Sequence, residues 1–141
     1  MVEMPTVSMA CPFCEPPASR LVAENAWAIA VRDAFPVSPG HTLVIPRRHV
    51  ASWFDASAEE RAAILELIDL TKSDLDHGLG PAGYNIGINV GDAAGQTVMH
   101  LHVHVIPRFA GDVDDPSGGV RFVIPERGDY RRPGRIPRRK G

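Results

Sequence analysis

The chain is short of the features that mark several protein classes. It has two cysteines in 141 residues, so at most one internal bridge can form and a disulfide-stapled scaffold is excluded. No apolar run approaches the ~20 residues of a membrane-spanning helix, and no membrane partner is expected. The stretch Met1 to Ala10 lacks a basic region followed by a sustained apolar one, so no secretory signal is read there and a cytoplasmic protein is expected. Nor is there an acidic cluster suited to a catalytic magnesium; any magnesium is expected to arrive with a substrate. With 44% hydrophobic residues, a chain of this length is most simply one globular domain with a real core.

Charge is unevenly spread. The net charge is −2, but six of the fifteen basic residues fall between Arg131 and Lys140, where there are no acids. Residues 1–130 form the expected single domain. Residues 131–141 form a proline-broken basic tail, expected to be disordered and solvated. Nucleic acid is not the expected partner, although the tail leaves contact with it, or with an anionic substrate, open.

What the chain does have is His100-Leu101-His102-Val103-His104-Val105-Ile106. Three of its six histidines alternate with aliphatic residues at a period of two. A strand would place His100, His102 and His104 on one face, about 7 Å from neighbour to neighbour, and turn Leu101, Val103 and Val105 towards a core. The preceding Gly91-Asp92-Ala93-Ala94-Gly95-Gln96-Thr97 reads as a glycine-bracketed loop whose N–H groups form an anion-binding nest, with the Gln96 amide and Thr97 hydroxyl as further neutral donors. A nest beside imidazoles points to an anionic substrate with a nitrogen nucleophile, or else to a metal.

Gly95 to Ile106 resembles the signature of the histidine-triad family of nucleotide hydrolases and transferases, and matching segments run from Cys11 to Asp112. Pro107-Arg108-Phe109-Ala110-Gly111-Asp112 resembles the fragile-histidine-triad branch, which includes dinucleoside polyphosphate hydrolases. The resemblance implies a homodimer and an α+β fold, an antiparallel sheet of about five strands with one main helix and room for a second, short one. It makes His102 the nucleophile, with His100, His104 and Gln96 assisting. Gly95, Gln96, Thr97 and Asn89 would contact the nucleotide, and Asp33 the ribose hydroxyls, where the residue pattern alone reads as an acid capping a turn. The chemistry such residues support is attack by neutral imidazole on an α-phosphate, giving a nucleotidyl-histidine that water then releases. One ring nitrogen of His102 must be held in a fixed tautomer, for which a backbone carbonyl would serve. The alternatives are a nucleoside phosphoramidate hydrolase, a nucleotidyl transferase, a zinc-stabilised nucleotide-binding module without catalysis, and a transition-metal enzyme using the triad as ligands.

Cys11-Pro12-Phe13-Cys14 reads as half of a zinc site, a redox dithiol or a local disulfide. Zinc needs two more ligands, for which His49 and His100 are candidates, and by resemblance Cys11, Cys14, His49 and His100 hold a structural zinc. His41 is expected to fill a surface or core position. Arg20 to Val31 reads as a hairpin. Ser57 and Glu60 have capping-box spacing, and Ile64, Leu67, Ile68, Thr71 and Leu75 share one face, which predicts the main helix over about 57–77. Leu65 and Leu70 widen that face towards a second apolar contact. Tyr84 to Val90 alternates as a strand, and Gly118 to Pro125 reads as a further one.

Overall fold

The computed structural model describes residues 11–131; the first ten residues and nearly all of the basic tail lie outside the described residues. Five strands form one antiparallel sheet: β1 Leu21–Glu24, β2 Ala28–Arg32, β3 Thr42–Pro46, β4 Gly83–Ile88 and β5 Val103–Arg108, in the order β1-β2-β3-β5-β4. A single long helix, α1 (Ala58–Gly78), crosses one face of it.

The β1–β2 connection is set by Asn25, whose side-chain oxygen accepts from the N–H groups of Trp27 (3.1 Å) and Ala28 (2.8 Å) and so folds the turn locally. The predicted capping box is complete: Ser57 Oγ accepts from Glu60 N–H at 3.0 Å, and Glu60 returns a carboxylate oxygen to Ser57 N–H at 2.8 Å. Glu60 is almost fully buried, and its charge is balanced by Arg48 at 2.8 Å. Ile64, Leu67 and Leu75 of α1 pack onto Ala28, Ala30, Val44, Val103 and Val105. Leu65 and Leu70 stay on the outer side, about half exposed.

Strand alternation then divides the chemistry. The even positions of β2 and β3 and the odd positions of β5 face the helix. The opposite, front face carries Ile29, Val31, Leu43 and Ile45, covered by Phe13. His104 lies on this face, in register with Leu43 of β3 and Gly87 of β4. One glycine has a positional reason. Gly40 has φ +86°, and a Cβ there would come within 2.7 Å of Leu75 Cδ2, so the chain entering β3 passes tightly under the end of α1.

Two expectations need correction. The triad does not lie in one strand: β5 begins at Val103, so His100, at a bend, and Leu101 and His102 form an irregular lead-in. Continued, the register would set Ile45 opposite His102 and Pro46 opposite Leu101, but Pro46 has no N–H to donate and its carbonyl is taken by the His100 ring (2.8 Å). The Leu101 N–H bonds to Val50 O instead. The segment Gly118–Pro125 is not a strand either. Gly118 and Gly119 have φ of +95° and +47°, and two 3₁₀ turns follow (Gly119–Val123 and Pro125–Arg127). Arg121 closes this segment on itself by donating to Gly128 O and Arg127 O.

Candidate active site

The lead-in and β5 send the three imidazoles into different surroundings. His100 is fully buried. Its Nε2 meets Pro46 O at 2.8 Å, so that nitrogen carries the proton and Nδ1 keeps its lone pair. That lone pair faces Cys11 Sγ at 3.4 Å and Cys14 Sγ at 3.6 Å, while Cys14 Sγ lies 3.2 Å from His49 Nδ1. The ligand atoms of Cys11, Cys14, His49 and His100 all lie within 4.8 Å of one another. A tetrahedral zinc with Zn–S about 2.3 Å and Zn–N about 2.0–2.1 Å would set sulfur and nitrogen roughly 3.6 Å apart. The four sequence-predicted ligands are therefore brought together at a spacing that fits the ion. The Pro46 carbonyl supplies the outer hydrogen bond that holds a ligating imidazole in place. Burial holds the His100 pKa below its ordinary value, which keeps the ring neutral, as a ligand must be.

His102 is turned by its own backbone. Its Nδ1 lies 2.8 Å from His100 O, so Nδ1 carries the proton and Nε2 presents a free lone pair. Phe13, carried between the two cysteines, packs edge-on against this ring with centroids 4.7 Å apart. The His104 ring stands 5.1 Å from that of His102.

His104 is ordered by a residue that sequence reasoning placed outside the chemistry. His41 is buried at 3% exposure. Its Nδ1 accepts from Val37 N–H at 3.1 Å, which puts its proton on Nε2. Nε2 then donates to His104 Nδ1 at 3.0 Å, which leaves the His104 proton on Nε2. Asp33 Oδ2 lies 3.4 Å from the same His41 nitrogen. Burial pushes His104 down to about 4 and lowers His41 as well, with Asp33 opposing, so both rings are neutral near pH 7. His41 immediately precedes β3, two residues before Leu43, which pairs with His104, so the sheet register brings it to His104.

Asp33, His41 and His104 also bring three ligand-type atoms within 4.8 Å. This second group is a hydrogen-bond chain, because the Val37 N–H already occupies His41 Nδ1 and Nε2 is a donor. Asp33 does cap its turn, with Oδ1 accepting from Phe35 N–H at 2.8 Å, and its second oxygen faces His41.

The glycine loop departs from expectation. Gln96 is buried, and its amide ties the loop together. Nε2 donates to Ala51 O (2.8 Å) and Val98 O (3.0 Å), and Oε1 accepts from Gly91 N–H (2.9 Å). Both amide donors are therefore engaged away from the triad, and the expected side-chain contact from Gln96 to a substrate is not available. The N–H groups of Gly95 and Gln96 likewise bond back to Asp92 O and Gly91 O, so they do not form the open nest the sequence suggested. Thr97 is exposed, and Asn89 lies half-buried beside His104 on the front of the sheet.

Among known proteins, an AP-4-A phosphorylase of Mycobacterium tuberculosis is 34% identical over 129 residues, 86% of this chain and 66% of that protein. An adenosine 5'-monophosphoramidase of Schizosaccharomyces pombe is 41% identical over 106 residues, 71% of this chain and 75% of that protein. The matched span is 61% of the length of an uncharacterised HIT-like protein of Mycoplasma pneumoniae. Among solved structures, a Zn-bound histidine triad family protein from Mycobacterium smegmatis superposes with a TM-score of 0.67 at 34% identity, covering 82% of this chain and 91% of that one. Residues 17–111 match the HIT domain, and on these likenesses the chain belongs to the HIT family.

Proposed function

We propose that the chain is a nucleotide hydrolase that cleaves at an α-phosphate, on dinucleoside polyphosphates or related nucleotide conjugates, through a nucleotidyl-histidine on His102. The observation that carries this reading is the bond from His102 Nδ1–H to His100 O at 2.8 Å, because it aims an unprotonated Nε2 outward beside His104. In the first step the Nε2 lone pair attacks phosphorus, a P–N bond forms, and the bond to the departing group breaks with its electron pair. The ring becomes cationic, and the His100 carbonyl at Nδ1 stabilises that charge. His104 presents Nε2–H to the phosphate or to the departing atom. Water then attacks phosphorus, the P–N bond breaks, and a nucleoside monophosphate leaves. Splitting one displacement into two is the benefit of covalent catalysis.

We read Thr97 and Asn89 as the remaining neutral donors for the phosphate, and Asp33, whose Oδ2 lies 3.4 Å from His41 Nε2, as the acceptor for ribose hydroxyls. Zinc held by Cys11, Cys14, His49 and His100 would supply structural anchoring, fixing His100 and through its carbonyl the His102 tautomer. Magnesium belongs to the substrate's phosphates. Two unbridged thiols suit a reducing cytoplasm. A homodimer is supported by Leu65 and Leu70, exposed on the outer side of α1, and by the unpaired edge of β4. No helix among the described residues is long and apolar enough to cross a membrane.

The phosphorylase relative favours a second reading of the same intermediate, with inorganic phosphate in place of water as acceptor. The test is intact-protein mass after brief mixing with diadenosine tetraphosphate, with and without phosphate. Wild type should show one adenylyl adduct, and His102→Ala none, with turnover reduced at least ~10³-fold. Tight binding without any adduct or turnover would turn the reading to a nucleotide-binding module.

A further inference from the structure

Two arginines, Arg47 and Arg48, stand directly before His49. Beside a site proposed to handle phosphate, such a pair is the obvious anion-binding group, yet each guanidinium is committed to the protein's own frame. Arg47 meets Glu24 Oε1 at 2.7 Å and Asn25 O at 2.8 Å in the β1–β2 turn. Arg48 grips the Glu60 carboxylate with two N–H groups, Nε to Oε2 at 3.0 Å and Nη2 to Oε1 at 2.8 Å. The Glu60 side chain is 1% exposed, and Oε1 also accepts from Ser57 N–H at 2.8 Å. Arg48 holds this carboxyl below its ordinary value although burial opposes it. A buried bridge of this kind brings little net stability over an apolar pair of the same volume, but its two parallel bonds fix a direction.

What the bridge fixes is an irregular strap. β3 ends at Pro46, and residues 47–51 belong to no strand or helix. Pro46 and the strap nevertheless carry the contacts that shape the triad. Pro46 O holds the His100 ring at 2.8 Å, Val50 O accepts from Leu101 N–H at 2.6 Å, and Ala51 O accepts from the Gln96 amide at 2.8 Å. His49 lies in the strap too, with Nδ1 3.2 Å from Cys14 Sγ. A segment without a ladder of its own takes its place from the groups that fasten it. Arg47 fastens this one to the sheet, and Arg48 fastens it to the first turn of α1.

We infer that Glu60 and Arg48 are positioning residues for the triad: the buried carboxylate fixes the strap, and the strap sets His49, His100 and the carbonyl that orients His102. The bearing of this anchor on turnover rests on the function proposed above, whereas the strap is held by bonds that stand without it. Glutamate at residue 60 then has a reason of its own. Glutamine would complete the capping box as well, but only a carboxylate offers two acceptor oxygens to the guanidinium.

The test compares Arg48→Met, Arg48→Lys and Ser57→Ala with wild type. Ser57→Ala removes the N-cap and leaves the bridge, so it lowers stability alone. Three quantities are read: the zinc dissociation constant by chelator competition; the exchange of the Leu101 amide relative to that of Leu67 in mid-α1, with and without zinc; and kcat and KM for diadenosine tetraphosphate. Arg48→Met should weaken zinc about tenfold, speed Leu101 relative to Leu67 about tenfold, and lower kcat about tenfold at unchanged KM. Arg48→Lys, with a point charge in place of the fork, should recover part of each loss. Ser57→Ala should keep the wild-type zinc affinity and exchange ratio. If Arg48→Met does not fold around an unpaired carboxylate, Arg48→Met with Glu60→Gln keeps the cap, removes that charge and should show the same losses. Wild-type zinc affinity and exchange ratio in the bridge variants, or equal changes in Ser57→Ala, would reduce Glu60 to a helix cap and overturn the anchor. A raised KM at constant kcat would make Arg48 a phosphate-binding group and also overturn it. If wild type shows no turnover while zinc and exchange shift as expected, the anchor stands and the α-phosphate chemistry fails.

Discussion

His100 and His104 stand four residues apart on one run of backbone, and each sits in a group of ligand-type atoms gathered within 4.8 Å. At His100 the partners are two thiols and a second imidazole, and the free lone pair points into the group. At His104 the partners are an imidazole and a carboxylate, and the nitrogen facing them already receives a proton from His41. The difference is made one bond further out. Pro46 O accepts from His100 and leaves its other nitrogen open for a metal. Val37 N–H donates to His41 and turns the second group into a chain of donors that ends at the site. Similar spacing of atoms thus supports ion binding at one end of the triad and proton placement at the other, because hydrogen bonds to ordinary backbone groups choose the tautomers.

The strongest way to break this comparison is to remove the soft ligands. Cys11→Ser with Cys14→Ser should abolish stoichiometric zinc, read by native mass spectrometry, and lower the thermal midpoint by ten degrees or more. Structural zinc binding is worth on the order of 10 kcal/mol in small domains, and only part of it is needed for such a shift. His41→Ala should leave zinc at one per chain. If the cysteine variant kept its zinc, or the His41 variant lost it, the two groups would not be separate.

A second test addresses the hydrogen-bond end. His41→Asn should lower kcat by about 10–10² with little change in KM, since outer partners that orient a reacting imidazole carry effects of that size. His41→Gln, whose amide can reach towards His104 Nδ1, should recover part of the loss. A KM effect with kcat unchanged would make His41 a packing residue.

The sequence already exposed much of this architecture, for reasons that can be located. The helix was legible because Ser57 and Glu60 satisfy local N–H groups and the apolar stripe repeats at helical spacing. The gathering of Cys11, Cys14, His49 and His100 was expected, because two cysteines three residues apart invite two further ligands and the family resemblance points to these two histidines. The role of His41 was not, because it comes from register across β3 and β5 and from one backbone donor at Val37. Gln96 was misplaced for a related reason: an amide beside a glycine loop is equally suited to facing an anion or to stitching the loop together, and the approach of Ala51 O decides it. The lead-in at His100 depended on Pro46, 54 positions earlier, whose missing N–H ends the ladder. Periodicity reports which residues alternate, and it is blind to whether the neighbouring strand can reply.

The smallest expected effect sharpens the comparison through pH. Burial holds His104 down to about 4 in the folded chain, while in the unfolded chain it titrates near its ordinary value of 6.5. The folded state thus refuses a proton that the unfolded state accepts. The contribution of this group is present above about pH 6.5 and is lost as pH falls from there towards 4. The limiting slope for one proton is about 1.4 kcal/mol per pH unit, approached only between the two pKa values. Acid also weakens zinc binding, so wild type must be compared with His104→Asn, both loaded with zinc. Urea midpoints at pH 7, 6 and 5 should fall more steeply for wild type than for the variant. Parallel slopes would mean that His104 accepts its proton in the folded state, and the neutral chain from Val37 through His41 to His104 would then not be the resting arrangement.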